Sequence, residues 1–285
     1  MTSSSDSEET KDIGYRFFLY RQGTLQNAFA ISLDVPAADA NPCAWDPLDL
    51  DALFDGSLGL ACCLRSCALA TDLATGDEVT SWPDESGSGT DMTDVSSTPV
   101  PVFDGSSVVF NRDAATLQCQ DAYTFHADEW TWFLTLHLSD LSEPSALDRL
   151  ILRVFSVTAT FSPRTDRTLG VSWSDYRDEE VAASLSGVFS EAETGGAITD
   201  WLSRVILCVR ARVVDDSWTS SLRLNGQTVR AGGINPYSDA RRTVSLAWEP
   251  AASGHVMTLR HVLGFDRYLD DAACASVETI LKKYA

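Results

Sequence analysis

Hydrophobic residues in this chain of 285 residues mostly recur at every second position, in short stretches separated by Gly, Pro, Asp and Ser. The segment Trp130–Leu138 has Trp or Leu at its even positions and mostly polar residues at its odd ones. The segment Arg204–Val214 has the same period, with Val and Leu on one face and Arg210 on the other. A period of two is that of a strand with one buried face. We therefore expect two core strands whose second faces, including Arg210, point outward.

Turn signals divide the remaining chain into further short strands. Asn225-Gly226 stands between Leu222–Leu224 and Gln227–Val229, and this dipeptide supplies the positive φ angles that a two-residue type I′ hairpin requires. We count about a dozen short strands with turn signals between them, a spacing that is typical of all-β sandwiches. The prediction is an all-β fold, an antiparallel jelly-roll β-sandwich.

An amphipathic helix is predicted near the C-terminus. Asp270 is a favourable N-cap, and Lys282 and Lys283 lie at the negative end of the helix. Its apolar positions recur with helical spacing, at Ala273, Val277, Ile280, Leu281 and Tyr284. We expect this stripe to pack onto the sheet.

The N-terminal region differs from the remainder. Residues 1–14 have the polar composition of a disordered tail, residues 15–20 and 28–35 have strand patterns joined around Gln22-Gly23, and residues 36–55 are rich in Pro, Asp and Ala. We assign residues 1–57 to a tail and N-terminal arm and residues 58–285 to the main domain. Whether the arm docks onto a partner or adds an edge hairpin to the sandwich stays open.

The composition is strongly acidic, with 41 Asp and Glu against 21 Lys and Arg and a net charge of −20. Such a surface repels polyanions, and no cluster of basic residues is present, so nucleic-acid binding is not expected.

No apolar segment suggests a signal peptide or a membrane span, so we expect synthesis in the cytosol and no membrane insertion. The seven cysteines lack zinc-ligand spacing and are interpreted as buried thiols, which favours a reducing place of synthesis.

The segment Gly76–Gly89, with Trp82-Pro83-Asp84 followed by Ser86-Gly87-Ser88-Gly89, resembles the LamG-like jelly-roll domains of phage and bacterial surface proteins. These belong to the concanavalin A-like lectin and glucanase superfamily. The Asn-Gly hairpin and the closing Phe265-Asp266-Arg267 before the helix agree with this pattern, so the resemblance spans about residues 58–285. It departs from the pattern at Phe110-Asn111-Arg112-Asp113, where the family has Phe-Asp-Gly.

The superfamily includes calcium-binding members and glucanases, so the resemblance raises the possibility of a calcium site and of glycoside hydrolysis. Asp84, Asp104 and Asp113 are candidate calcium ligands, with turn capping as the alternative, and no metal or other cofactor is predicted. Glucanases carry Glu-x-Asp-x-x-Glu on one strand, and here no Glu is followed by Asp two positions later. None of the four histidines, His126, His137, His255 and His261, belongs to a catalytic motif. We expect a protein without enzymatic activity.

Surface recognition is the remaining class of function. Aromatic rings in loops of polar residues suit sugar binding, because a ring stacks on sugar C–H groups while carboxylates accept from hydroxyls, although they suit protein interfaces equally. The candidate ligand-binding residues are Trp173, Tyr176, Asp178, Trp218 and Tyr237.

The leading hypothesis is a structural protein on the surface of a virion, as a capsid decoration or fibre subunit. Its partners would be other virion proteins or further copies of itself, and it would also bind host surface glycans. The alternatives are a stand-alone carbohydrate-binding module and a divergent glycoside hydrolase.

Overall fold

The computed structural model describes residues 11–21, 24–35, 45–54, 56–95, 100–110, 116–119, 128–139, 149–154, 157–163, 168–177, 180–190, 205–215, 217–232, 244–246 and 256–284. Residues 11–35, 138–139, 149–190, 217–218, 229–232 and 256 are described by their backbone within those ranges. The chain divides into two compact units, Met1–Ala44 and Trp45–Ala285.

The first unit contains an antiparallel hairpin of two long strands, β1 (Lys11–Arg21) and β2 (Thr24–Val35). Lys11 pairs with Val35, and Arg21 pairs with Thr24. The predicted pair of strands joined around Gln22-Gly23 is therefore confirmed, although β1 begins within the segment expected to be a tail. The predicted domain boundary after residue 57 and the docking role of the arm stay predictions.

Strands dominate the second unit. They are β3 (Leu60–Arg65), β4 (Ser81–Trp82), β5 (Met92–Asp94), β6 (Val102–Phe103), β7 (Val108–Phe110), β8 (Leu117–Cys119), β9 (Glu129–Ser139), β10 (Arg149–Val154), β11 (Val157–Pro163), β12 (Thr168–Arg177), β13 (Glu180–Ser190), β14 (Val205–Val214), β15 (Ser217–Leu224), β16 (Gln227–Gly232), β17 (Val244–Leu246) and β18 (Val256–Phe265). The helices are α1 (Pro47–Phe54), α2 (Ser66–Leu69) and α3 (Asp271–Tyr284).

These strands form two eight-stranded antiparallel sheets. The first, here called the outer sheet, has the order β13-β12-β11-β10-β17-β8-β5-β4. The second, the middle sheet, has the order β16-β15-β14-β9-β18-β7-β6, and β3 also pairs with β18. The predicted antiparallel β-sandwich with a short C-terminal helix is confirmed.

The hydrophobic core lies between the two sheets. Trp130 and Trp132 of β9 are completely buried there, together with Leu207 and Val209 of β14. The outer sheet contributes alternate residues to the same cluster, namely Trp82, Met92, Leu117, Cys119, Val244 and Leu246. The predicted core faces of the strands around Trp130 and Val205 are thus confirmed.

The second face of the middle sheet is also buried, contrary to expectation. Phe133 of β9 and Cys208 of β14 lie on this face and form a second apolar cluster with Val277 and Leu281 of α3. Arg210, predicted to point outward, is only 5% exposed. It faces away from the first core as predicted, but α3 covers that face, so the expectation of a solvent-exposed arginine is wrong.

Two buried arginines connect the middle sheet to α3. Arg210 donates to Ser221 Oγ and to the Leu269 carbonyl, each at 2.6 Å, and forms an ion pair with Asp271. Arg223 forms a bidentate ion pair with Glu278: its Nε donates to Oε1 at 3.0 Å and its Nη2 donates to Oε2 at 3.2 Å. Because each buried guanidinium has a carboxylate partner, the polar groups in this layer are neutralised.

A side-chain cap fixes one end of α3, and contacts with α1 and Trp45 fix the other. Asp270 Oδ1 accepts from the backbone N–H of Ala273 at 2.8 Å, which confirms the predicted N-cap. At the other end, Trp45 stacks on the Tyr284 ring with centroids 4.4 Å apart. Asp49 of α1 accepts from Lys283 Nζ at 2.7 Å and from the Tyr284 hydroxyl at 2.7 Å, and these bonds lower the pKa of Asp49. Residues 45–54 are thereby held against α3.

The predicted hairpin turn at Asn225-Gly226 is confirmed. Both residues have positive φ angles, 50° at Asn225 and 91° at Gly226, and the flanking Leu224 and Gln227 pair with each other. The Gly226 carbonyl also accepts from Arg223 Nη2 at 3.1 Å. The turn therefore supports the buried arginine as well as the register of β15 and β16.

The Arg223–Glu278 pair gives a stability prediction. Glu278→Gln keeps the shape of the side chain but leaves the buried Arg223 without its main counter-charge, so we expect a loss of about 2–4 kcal/mol in unfolding free energy. Urea denaturation followed by tryptophan fluorescence measures it. Glu78→Gln, the same change at an exposed position, is the control. Equal midpoints for the two variants would contradict this role of the pair.

Candidate functional site

The Trp82–Gly89 segment that resembles the LamG-like pattern has a structural role here. Asp84 Oδ1 accepts from the Cys63 N–H at 2.8 Å and the Ser86 N–H at 2.9 Å, and Oδ2 accepts from Ser86 Oγ at 2.7 Å and the Thr90 N–H at 3.1 Å. Gly87 and Gly89 have φ angles of 80° and 75°, which explains the two glycines of the pattern. The carboxylate thus closes the loop onto β3.

Asp104 also caps its own turn, because its Oδ1 accepts from the Ser106 N–H at 2.8 Å and the Ser107 N–H at 2.6 Å. Asp113 lies outside the described residues. Within the described ranges, no group of three or more His, Cys, Asp and Glu side chains is arranged to hold a metal ion. For Asp84 and Asp104 the geometry agrees with turn capping, the alternative to calcium ligation.

The histidines separate into two kinds. His261 is buried beneath Trp45, with ring centroids 5.0 Å apart, and its Nδ1 is 2.7 Å from Thr135 Oγ1. Burial, with the nearby charges of Arg260 and Arg65, lowers the pKa of His261 to about 3. His137 is exposed, and His126 and His255 lie outside the described residues. Since His261 is both enclosed and neutral, its role is structural.

None of the five predicted ligand-binding residues has a described side chain. Trp173 and Tyr176 lie within β12, which extends to Arg177, rather than in a loop. Trp173 pairs with Ala159 and Leu185. Trp218 lies in β15, opposite Val213. Asp178 and Tyr237 are outside the described residues, and the binding role of all five stays a prediction.

The register of the outer sheet instead aligns a row of polar residues that sequence reasoning missed. It runs through all eight strands in the order Ser184, Ser174, Thr158, Arg153, Ser245, Gln118, Thr93 and Ser81. We call this set the polar row. The row beside it contains Leu117 and Leu246, which are buried in the core. Because successive residues of a strand lie on opposite faces, the polar row belongs to the face turned away from the core.

The described side chains of the polar row differ in exposure. Ser81 and Thr93 are exposed and Gln118 is half-buried, as the outward placement predicts, whereas Ser245 is completely buried. The Gln118 amide donates from Nε2 to Ser245 Oγ at 3.0 Å, and Thr93 Oγ1 donates to the Gln118 carbonyl at 3.2 Å. These bonds hold Gln118 in place between two strands.

A second row extends the polar face next to Ser174 and Ser184. In this row Thr160 of β11 pairs with Ser172 of β12, which pairs in turn with Ser186 of β13. Neighbouring strands are about 4.8 Å apart, so eight strands extend over about 34 Å. A face of hydroxyl and amide groups on this scale can donate to and accept from many ligand hydroxyls, and no described feature gives it a reactive acid and base pair.

Alternation of polar and apolar residues is the sequence signal that could have pointed to this face. Leu117-Gln118-Cys119 and Val244-Ser245-Leu246 each have one polar residue between two apolar ones, and β12 and β13 alternate Ser with larger residues. β17 pairs with β8, more than a hundred residues away in sequence, and with β10, about ninety residues away. The row becomes visible only when that pairing is known.

The β-sandwich fold of this chain is similar to that of several solved binding domains of botulinum neurotoxins. The receptor-binding domain of botulinum neurotoxin mosaic serotype C/D is similar at a TM-score of 0.53 and 10% identity, covering 80% of this chain and 51% of that chain. The binding domain of botulinum neurotoxin DC, solved with rat synaptotagmin II, is similar at 0.53 and 9%, covering 82% and 53%.

Botulinum neurotoxin type C, described as depending on two ganglioside molecules to enter cells, is similar at a TM-score of 0.54 and 9% identity, covering 83% of this chain and 53% of that one. This chain therefore spans about half the length of these proteins. At such identities the similarity shows the fold. No protein-family model matches the chain, and no curated protein matches it.

The buried His261 gives a pH prediction. The folded protein keeps this ring neutral down to about pH 3, whereas the unfolded chain takes up a proton near its ordinary pKa of 6.5, so acidification favours unfolding. Between pH 8 and pH 5 the wild type should lose about 2 kcal/mol of unfolding free energy more than His261→Gln does. Urea titrations at both pH values test this, with exposed His137→Gln as control. Parallel pH profiles for wild type and His261→Gln would contradict it.

The Asp84 loop gives a second test, which separates capping from calcium binding. Asp84→Ala removes the acceptor of four hydrogen bonds, including one from the N–H of the buried Cys63, and should lower the unfolding free energy by about 2–4 kcal/mol. Asp104→Ala changes an exposed turn, so it should lower the unfolding free energy by less than Asp84→Ala does. Calorimetry with EDTA or added calcium should leave the wild-type melting temperature unchanged. A calcium-dependent rise that Asp84→Ala abolishes would instead assign a metal site.

Proposed function

We propose that this protein is a non-catalytic virion surface protein, a capsid decoration or fibre subunit, that binds host glycans across the polar row of its outer sheet. The observation that carries glycan binding is the alignment of polar residues on eight consecutive strands, from Ser184 to Ser81. Carbohydrates present many hydroxyl groups, and the row offers donors and acceptors at regular spacing. The proposal for a virus particle rests on the resemblance to LamG-like domains of phage surface proteins.

The chemistry of the row predicts weak individual sites. A hydrogen bond that replaces bonds to water contributes about 0.5–1.5 kcal/mol, and the described members of the row that reach the surface, Ser81, Thr93 and Gln118, offer two small hydroxyls and one amide. One copy should therefore bind a glycan weakly. Many copies on one particle would raise the overall avidity without any new contact. A surface array of subunits is the arrangement in which such a face becomes effective.

The net charge of the chain restricts the class of glycan that it is expected to bind. A net charge of −20 repels polyanions such as heavily sulfated glycans. Neutral glycans are therefore the expected ligands, although Arg153 gives the row one cationic position.

The comparisons support a recognition role, since the similar structures are receptor-binding domains, one of them from a toxin that depends on gangliosides. The described residues support the absence of catalysis. His261 is enclosed and neutral, and Asp84 is engaged by its own loop. The sequence also lacks the Glu-x-Asp-x-x-Glu pattern of the glucanases.

Glycan binding is tested with a variant that makes the described part of the row apolar, namely Ser81→Ala, Thr93→Val and Gln118→Leu combined. The purified protein, displayed in many copies on beads, should retain neutral glycans on an array, and the triple variant should bind at least about tenfold more weakly. The control is Ser276→Ala with Thr279→Val, which removes two exposed hydroxyls from α3.

Equal glycan binding by the triple variant and the control would exclude the polar row as the site. An array that retains no glycan at all would overturn glycan binding itself. Release of reducing sugar from a bound polysaccharide would show a glycoside hydrolase instead. Co-sedimentation of the protein with assembled particles tests the virion assignment separately, and a chain found only free of particles would contradict it.

A further inference from the structure

Two cysteines meet beneath α3, on the face of the middle sheet that was expected to be exposed. Cys208 lies in β14 and Cys274 lies in the first turn of α3, 66 residues further along the chain. Their sulfur atoms are 4.0 Å apart, and both residues are completely buried. The Arg210 guanidinium is 3.6 Å from the Cys274 sulfur.

We propose that Cys208 and Cys274 are a site of oxidative modification, at which a low-molecular-weight disulfide such as oxidised glutathione converts the two thiols into an intramolecular disulfide between sheet and helix. The sulfur atoms have to approach by about 2 Å to form the bond. Rotation about the Cα–Cβ bond (χ1) of each cysteine moves its sulfur atom, and we expect this rotation to close the gap.

The environment distinguishes the two thiols. A hydrogen bond from Cys208, aided by the charges of Arg210 and Arg223, lowers the pKa of Cys274. Burial raises the pKa of Cys208 well above its ordinary value. The thiolate is the nucleophile in disulfide exchange, so Cys274 is the attacking residue.

The reaction is two exchanges. The Cys274 thiolate attacks one sulfur of the small disulfide, whose S–S bond breaks, and one small thiolate leaves. Cys208 then loses its proton and attacks the Cys274 sulfur, which releases the second small thiolate. The two protein thiols are oxidised, the small disulfide is reduced to two thiols, and those thiols take up the protons released from the protein. Local opening of the first turn of α3 gives the reagent access.

The neighbouring cysteines of β3 are arranged differently. Cys62 and Cys63 are neighbours on β3, but Cys62 belongs to the core between the sheets and Cys63 to the cluster under α3. Neighbours on a strand point to opposite faces and cannot join to each other. Burial raises the pKa of Cys62 well above its ordinary value and that of Cys63 to about 12, so both are poor nucleophiles.

The test uses the folded full-length protein, incubated with oxidised glutathione and then alkylated in denaturant. Non-reducing proteolysis and mass spectrometry should identify one cross-linked pair, Cys208 with Cys274, and the intact mass should fall by about 2 Da through loss of two hydrogen atoms. The cross-link closes a long loop and should raise the melting temperature by about 5–15 °C, reversibly with dithiothreitol.

Matched variants complete the experiment. Cys208→Ala and Cys274→Ala should each abolish the cross-link and the rise in melting temperature, whereas Cys62→Ala, at a buried cysteine of the other core, should keep both. Because the mapping is done on the wild type, it stands even where an alanine variant fails to fold. The proposal is overturned if Cys208 and Cys274 are both alkylated after oxidation, or if the cross-link joins other cysteines.

Discussion

The burial of the middle sheet on both faces is the constraint on which the rest of the structure depends. One face meets the outer sheet through Trp130, Trp132 and their neighbours, and the other is covered by α3 and α1. A sheet enclosed in this way can retain arginines only where carboxylates reach them, and Asp271 and Glu278 of α3 provide those partners. The terminal helix is therefore part of the fold's electrostatics as well as of its packing. The N-cap at Asp270 and the clamp of Trp45 and Asp49 on Tyr284 place it accurately enough for those ion pairs.

Local patterns were sufficient to predict the elements of this sandwich but not its layers. The alternation in β9, the Asn225-Gly226 turn and the Asp270 cap each depend on neighbouring residues, and all three are confirmed. The misplacement of Arg210 has a different cause. Ile206 and Cys208 already made β14 apolar on both faces, a pattern typical of strands covered on both sides. The arginines masked this signal, because an arginine in a strand is ordinarily taken as exposed unless its partner, here 61 residues away in sequence, is known.

The candidate site shows the same limit in another form. Aromatic residues in polar segments drew attention to Trp173 and Trp218, whereas the register of the outer sheet aligns Ser, Thr and Gln residues. Individually, a serine between two apolar residues carries no functional signal, as at Ser245. The polar row exists only through the pairing of β10, β17 and β8, and such long-range pairing cannot be derived from spacing along the chain. The Trp82–Gly89 segment was more informative about folding, since Asp84 and the two glycines close a loop onto β3.

The two sheets consequently differ in the kinds of side chain that they contain. The middle sheet holds the charged and nucleophilic groups that its cover neutralises, including Arg210, Arg223 and the Cys208–Cys274 pair. The outer sheet keeps one face in the core, and the polar row, with seven uncharged polar residues and Arg153, belongs to the other. The apolar core between the two sheets separates the ion pairs and thiols from the polar row, so the proposed oxidation of the cysteines would act on the anchoring of α3 and not on the proposed glycan-binding face.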